Sequence, residues 1–107
     1  MIYTANRDVS DRDVAVRYPN GDITELTPTE SQGIINHSPD GFNWGYGGSG
    51  PAQLALALLL HATGNRKLAT RYYQDFKWEV IAHLPDAWEI AQEKIVEWIE
   101  HAKGNTH

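Results

Sequence analysis

The stretch that decides the fold is residues 51–64, Pro-Ala-Gln-Leu-Ala-Leu-Ala-Leu-Leu-Leu-His-Ala-Thr-Gly. Proline suits a first helical position because its missing N–H would have no intrahelical partner there. Gly64 suits the left-handed conformation that ends many helices. Leucine and alanine between them occupy every side of the helix, and such a helix is covered by neighbours on several sides. We therefore predict a helix over residues 51–63 at the centre of the core.

A second helix is predicted over residues 66–83. Asn65 can cap it through its side-chain oxygen, and Pro85 stops it. Its apolar residues recur every three or four positions, which marks one face as buried. The helix should therefore pack against the 51–63 segment.

A third helix is predicted over residues 87–103. Asp86 followed three residues later by Glu89 has the spacing of a capping box, although the residues before Ile90 could instead be extended. The apolar stripe again has helical spacing. The predicted core consists of Leu54, Leu58, Tyr72, Phe76, Ile95, Trp98 and Ile99.

Residues 1–37 are typical of a small antiparallel sheet. The predicted strands are 2–6, 13–18 and 22–26, with a further short strand within 33–37. Asn20-Gly21 can supply the two positive-φ positions of a type I′ hairpin turn. The chain is thus predicted to be one α+β domain over residues 1–107, in which this sheet packs on three helices.

Composition excludes several classes of function. There are 14 acidic and 9 basic residues, a net charge of −5, which disfavours direct nucleic-acid binding. The chain has no cysteine, so it can form neither disulfides nor thiolate metal sites. The N-terminus has no secretory pattern, and the longest apolar run, residues 54–60, is too short to span a bilayer. We expect a cytoplasmic protein without membrane association.

Residues 38–50 form a glycine-rich loop before the apolar helix. Gly45-Tyr46-Gly47-Gly48-Ser49-Gly50 matches G-x-G-x-x-G, but a dinucleotide site needs a buried strand before it and a parallel strand after the helix. Neither is predicted, so we expect no cofactor. Gly48 and Gly50 should either adopt positive φ or approach another backbone closely. One interpretation is packing, in which the glycines let the loop pass close to the apolar helix. The other is contact with a ligand or partner, for which the candidate residues are His37, Asp40, Trp44, Tyr46, Gly47, Gly48, Ser49 and Gly50.

Catalytic chemistry has little support in the sequence. Ser49 could be a nucleophile with His37 and Asp40, but the G-x-S-x-G elbow is absent and Pro51 lacks an N–H for an oxyanion hole. Ser49 more simply caps the following helix. The histidines lack H-x-x-x-H spacing, so no metal site is predicted.

Five carboxylates are predicted to form an acidic surface: Asp86, Glu89, Glu93, Glu97 and Glu100. One interpretation is a solvated helix face opposite the tryptophans. The other is a mimic of nucleic-acid phosphates that occupies a basic groove.

Two segments resemble the signature of an uncharacterised family of small proteins from bacteria, phages and plasmids. One is residues 36–57, with Phe42-Asn43-Trp44-Gly45-Tyr46-Gly47-Gly48-Ser49-Gly50-Pro51-Ala52-Gln53-Leu54-Ala55-Leu56-Ala57 at its centre, and the other is residues 73–78 with the following Leu84-Pro85 and Trp88. The resemblance implies a cytoplasmic protein carried by mobile DNA, and it implies no reaction.

Three functions remain as hypotheses. The first is a non-enzymatic protein of a phage or mobile element that binds a protein partner through the 36–51 loop. The second is a small-anion or nucleotide binder at the N-terminus of the 51–63 helix, where free N–H groups and the helix dipole favour negative charge. The third is an acidic inhibitor of a host defence enzyme that mimics nucleic acid.

Overall fold

The protein, described here by a computed structural model that covers residues 1–104, has an α+β fold. In chain order, the elements are β1 Ile2–Asn6, α1 Arg7–Ser10, β2 Val14–Arg17, β3 Ile23–Leu26, α2 Thr29–Ile34, α3 Ser49–Thr63, α4 Arg66–Glu79, a 3₁₀ helix Ile81–His83, β4 Ala87–Ala91 and α5 Gln92–Gly104. The predicted fold class is confirmed, although there are five α-helices in the described residues rather than three.

The sheet has four antiparallel strands in the order β3-β2-β1-β4. The predicted helix over 87–103 is wrong for its first turn, because Ala87–Ala91 pairs with β1, with Trp88 opposite Ala5. That pairing occupies the free edge of β1 and buries Trp88 on the inner face of the sheet. Asp86 therefore caps no helix, and the extended alternative is the correct one.

The β2–β3 hairpin turns differently from the prediction. Gly21 has φ +94°, but Asn20 is not among the positive-φ residues, so the turn is not type I′. The Gly21 N–H donates to the Tyr18 carbonyl at 3.0 Å, and the Tyr18 N–H donates to the Asp22 carbonyl at 2.8 Å. Pro19, whose ring fixes φ near −65°, favours this arrangement of a turn followed by one left-handed glycine.

Residues 33–37 do not form a strand. Thr29–Ile34 is helical, and the segment after it is held by the side chain of Gln53. Gln53 is fully buried in α3; it accepts from the N–H groups of His37 (2.8 Å) and Ser38 (3.1 Å) and donates to Ser31 Oγ (2.8 Å) and the Ile35 carbonyl (3.1 Å). A distant side chain thus provides the hydrogen bonds that a neighbouring strand would have provided.

Helix α3 lies at the centre of the core, as predicted. Eleven of its residues are buried, and it packs against α2, α4 and α5. Gly64 ends it with φ +64° in the left-handed region, and Asn65 caps α4 by accepting from the Leu68 N–H. Helix α4 ends at Glu79, before the 3₁₀ helix, and so is shorter than predicted.

The predicted core residues are buried with one exception. Trp98 is half-buried and meets the ring of Phe76 edge-on, with centroids 4.9 Å apart. The inner face of the sheet adds Tyr3, Ala5, Val14, Val16, Leu26 and Trp88 to this core. Over residues 1–104, none of the helices combines the length and apolar character required to cross a membrane.

Candidate functional site

The glycine-rich loop is anchored to the core by Trp44, which is 1% exposed. Its indole meets that of Trp88 edge-on at 5.7 Å, and the guanidinium of Arg7 lies 4.5 Å from its ring centroid. Arg7 also donates through Nη2 to Asn43 Oδ1 (3.1 Å) and to the Trp44 carbonyl (3.2 Å). Lysine could not replace Arg7 here, because only the planar guanidinium can stack on the indole while it donates these hydrogen bonds. The residues just before the glycines are therefore held rigidly.

The chain then turns outward at Gly45. This residue has φ +86°, which favours glycine, and its N–H donates to the Ile81 carbonyl at 3.0 Å. A Cβ at this position would also lie 3.3 Å from the Leu84 carbonyl oxygen. The turn carries the next residue, Tyr46, from the core side of the loop to the surface.

Two exposed aromatic side chains lie against consecutive glycines of the loop. Tyr46 is 49% exposed, and Trp78 of α4 is 57% exposed. Gly47 lies against the indole of Trp78, and Gly48 lies against the ring of Tyr46, each so closely that a Cβ would overlap the ring. We call these four residues the aromatic patch. Lys77, which is buried, places its Nζ 4.2 Å from the Trp78 ring centroid.

Gly48 and Gly50 lie where other atoms of the protein leave no room for a side chain. Gly48 has φ −117°, and neither Gly48 nor Gly50 is among the positive-φ glycines. Gly50 is buried, and a Cβ there would lie 2.7 Å from Asn43 Cβ and 3.1 Å from the Asn43 nitrogen. Close approach to another backbone is therefore correct for Gly50, whereas Gly48 lies against a side chain, the ring of Tyr46. Gly50 lets α3 begin directly against the Asn43 backbone.

Helix α3 begins two residues earlier than predicted, at Ser49. Its N-cap is Gly48, which has no side chain to accept a hydrogen bond, so the prediction that Ser49 caps the helix is wrong. Ser49 is exposed in the first turn, and that turn has no acidic residue. The first N–H groups of α3 thus have neither a side-chain cap nor a neighbouring carboxylate in the first turn.

His37 and Asp40 lie in other surroundings. His37 Nε2 is 2.6 Å from the Tyr73 hydroxyl, and its backbone N–H is bonded to Gln53. Asp40 is exposed and lines a cavity of about 200 Å³ with Asp11 and Arg12. Within the described residues, no hydrogen bond joins Ser49 to either of them. His37 thus fixes the base of the loop.

A second tyrosine–histidine pair lies away from the loop. The hydroxyl of the buried Tyr3 is 2.8 Å from His61 Nδ1. Burial raises the pKa of the Tyr3 phenol well above its ordinary value, and the neighbouring Tyr18 adds to the increase. Tyr3 is therefore neutral in the folded protein and links β1 to the last turn of α3.

The five predicted acidic residues do not lie on one helix. Glu93, Glu97 and Glu100 are exposed on α5, but Glu89 is in β4 and Asp86 precedes it. Four of the five lie within 4 Å of a basic side chain, in the pairs Arg7–Asp86, Arg17–Glu89, Lys94–Glu97 and Lys103–Glu100. The single-helix geometry on which the phosphate-mimic hypothesis depends is therefore absent.

Sequence reasoning missed Trp78 and Arg7. Trp78 follows Phe76 by two positions, which is about 200° around a helix, so it falls on the face opposite the buried stripe. A tryptophan on the polar face of an amphipathic helix is the signal that could have found it. Arg7 gives no such signal, because only the folded chain brings it to Trp44.

No curated protein and no solved structure matches the chain. A family described as a family of unknown function (DUF6166) matches residues 3–101, which is nearly the whole length. The chain therefore belongs to the family of unknown function DUF6166.

Proposed function

We propose that this chain is a non-enzymatic binding protein that contacts a protein partner through the aromatic patch of the 36–51 loop. The observation that carries the proposal is the exposure of Tyr46 and Trp78, at 49% and 57%, each against one of two consecutive glycines. Tyrosine and tryptophan are the residues most enriched among those that dominate binding energy at protein interfaces.

The two aromatic residues come from different elements. Tyr46 belongs to the loop and Trp78 to α4; the Trp78 ring lies against Gly47 and the Tyr46 ring against Gly48, at positions where a side chain would displace them. Folding alone would favour burial of both rings, because each is a large apolar group. Their placement on the surface is explained if a partner covers them.

The loop residues just before the patch are held by several packing contacts and hydrogen bonds. Trp44 is packed against Trp88 and Arg7, and Gly45 is bonded to Ile81. Binding then orders few new side chains, which lowers the entropic cost of association. This preorganisation favours a contact surface over a mobile linker.

The class of partner follows from the resemblance described above. If the chain is carried by a phage or plasmid, as the resemblance implies, a regulatory or defence protein of the host is a natural target, and we propose a cytoplasmic protein of that kind as the partner. The five carboxylates are divided among β4, α5 and the residue before β4, and four of them have a basic neighbour, so in this proposal apolar contact dominates recognition.

A second candidate function is anion binding at the start of α3. Gly48 offers no side-chain cap, and Ser49 presents a hydroxyl beside the first N–H groups of the helix. Such a site would bind inorganic phosphate or a nucleotide. Thermal melts with millimolar phosphate and with common nucleotides test it, and no stabilisation by any of them would exclude it.

Affinity capture from the native host tests the main proposal. The bait would be the wild type, Tyr46→Ala, Trp78→Ala and the control Val96→Ala, which removes an exposed apolar side chain from α5. A partner captured by the wild type and Val96→Ala, but by neither patch variant, supports the proposal. A partner retained by both patch variants contradicts it.

A further inference from the structure

Helices α3, α4 and α5 share one core with the inner face of the sheet, and the short helix α1 lies beside the outer face. Most strand residues that point inward are buried, with Thr24 on the edge strand β3 an exposed exception, whereas those that point outward, such as Ala15 and Thr4, are partly or fully exposed. Ile23 on β3 is 67% exposed, and Val9 in α1 is 79% exposed. A cavity of about 460 Å³ lies on this side, and its lining includes Thr4, Asn6, Val9, Ala15, Ile23 and Glu25. We call this open face the outer trough.

The strand register places carboxylates on both sides of the trough. Glu25 on β3 is opposite Ala15 on β2, Ala15 is opposite Thr4 on β1, and Thr4 is opposite Glu89 on β4. Across this row of the sheet, the two central strands carry the small residues Ala15 and Thr4, and the two edge strands carry the acidic residues Glu25 and Glu89. Three strand spacings separate Glu25 from Glu89, which is about 14 Å. An α-helix with its side chains is about 10–12 Å across, so it fits between them.

Most of the charged side chains around the outer trough are acidic. The charged side chains that line the cavity in the described part of the chain are Asp13 and Glu25. Arg17 is the basic residue of the same sheet face, and its contact with Glu89 is long, at 3.9 Å between exposed groups. Exposed pairs of this kind contribute little stability, so an incoming cation can replace Arg17 at low cost.

We propose that the outer trough binds an amphipathic helix of a partner protein, with small or apolar residues facing Ala15 and Thr4 and with Lys or Arg residues on both flanks. The flanking cations would pair with Glu25 on one side and Glu89 on the other. A second copy of this chain fits the trough less well, because pairing two troughs face to face would bring the Glu25 and Glu89 carboxylates of both copies together. This surface is separate from the aromatic patch, and the proposal does not depend on that function.

A synthetic peptide of about 18 residues, long enough for a helix of about 27 Å, provides the probe. It carries Leu on one helical face and Lys on both flanks, and its matched control has Glu in place of Lys. Binding is measured by fluorescence anisotropy of the labelled peptide, and amide chemical shifts of the protein locate the contact. One variant, Glu25→Gln with Glu89→Gln, removes the two flanking charges. A second, Ala15→Trp, fills the centre of the trough with a bulky side chain. The control, Glu93→Gln with Glu97→Gln, removes the same number of charges from α5.

The expected result is binding of the Lys peptide, with shifts confined to Thr4, Ala15 and their neighbours. The Glu25/Glu89 double variant and Ala15→Trp should each weaken binding by about tenfold, whereas the α5 double variant stays within about twofold of the wild type. Three results would overturn the proposal: equal weakening by the α5 variant, equal binding of the Glu peptide, or shifts outside the trough. Concentration-dependent dimerisation through Ala15 would instead assign the face to a second copy. Because Trp at position 15 could disturb folding, the charge variants decide the outcome.

Discussion

Gly47 lies against the indole of Trp78 so closely that a Cβ built on the glycine would overlap the ring. The contact joins the glycine-rich loop to α4 at the surface, where Trp78 remains more than half exposed. It explains why this position has no side chain although its φ is not in the left-handed region. The glycine permits an aromatic surface to form from two elements.

Gly47→Ala should displace the Trp78 indole while the fold survives. The overlapping atoms belong to an exposed side chain that can rotate away, so the free energy of unfolding should fall by less than about 1 kcal/mol. The indole N–H resonance of Trp78 should shift, whereas that of the buried Trp44 should not. An unmoved Trp78 resonance would show that the contact is absent in solution.

Gly50→Ala and Gly48→Ala should differ in their effect on stability. At Gly50 the new methyl would meet the Cβ and backbone nitrogen of Asn43, whose side-chain oxygen accepts from Arg7, so we expect a loss of about 1–3 kcal/mol. At Gly48 it would meet the exposed Tyr46 ring, which can move, so the loss should be below about 1 kcal/mol. Denaturant unfolding of both variants measures the difference. Equal losses would contradict the distinction between backbone and side-chain contact.

Gln53→Leu should be among the more destabilising polar substitutions. The change leaves the N–H groups of His37 and Ser38 and the Ile35 carbonyl without partners in a part-buried region, and we expect a loss of about 2–4 kcal/mol. Gln74→Leu, at an exposed position of α4, is the matched control and should change stability by less than about 0.5 kcal/mol. Similar values for the two variants would mean that the Gln53 hydrogen bonds do not hold the segment after α2.

Tyr3 should make the protein sensitive to alkali. Below pH 10.0, the ordinary pKa of tyrosine, the phenol is protonated in both folded and unfolded chains and has no pH-dependent effect. Above it, the unfolded chain loses the proton while burial keeps Tyr3 protonated, so the folded state binds more protons and stability falls as pH rises. The loss attributable to Tyr3 is up to about 1.4 kcal/mol per pH unit.

The comparison that isolates this effect is wild type against Tyr3→Phe. The variant should lose about 1 kcal/mol at neutral pH, where it lacks the hydrogen bond to His61. Its stability should then decline less steeply than that of the wild type above pH 10. Parallel curves for the two proteins would contradict the assignment.

Local signals in the sequence predicted the centre of the fold correctly. Three features gave the prediction: the apolar run of α3, the Gly64 that ends it and the Asn65 that caps α4. Each depends on residues that are close together in the sequence. Two segments were misassigned because distant partners decide them. Ala87–Ala91 is a strand because β1 offers it a free edge, and residues 33–37 are held by Gln53, whose side chain acts across 15 or more positions.

The candidate site was predicted only in part. The glycines marked the loop, but Trp78 and Arg7 come from elsewhere in the chain and reach it through folding. The turn type of the β2–β3 hairpin was also predicted wrongly, because a neighbouring residue decides it. Asn20-Gly21 alone suggests type I′, whereas the adjacent Pro19 selects a turn in which only Gly21 has positive φ.

The most direct test of the central claim is the dissociation constant of the purified partner, once captured, for the wild type, Tyr46→Ala, Trp78→Ala and Val96→Ala, with melting temperatures recorded alongside. If the aromatic patch is the contact surface, each patch variant should weaken binding by about tenfold or more while Val96→Ala changes it by less than about twofold. Melting temperatures should stay close to that of the wild type, because the rings are largely exposed. Undiminished affinity of Trp78→Ala and Tyr46→Ala would contradict the claim.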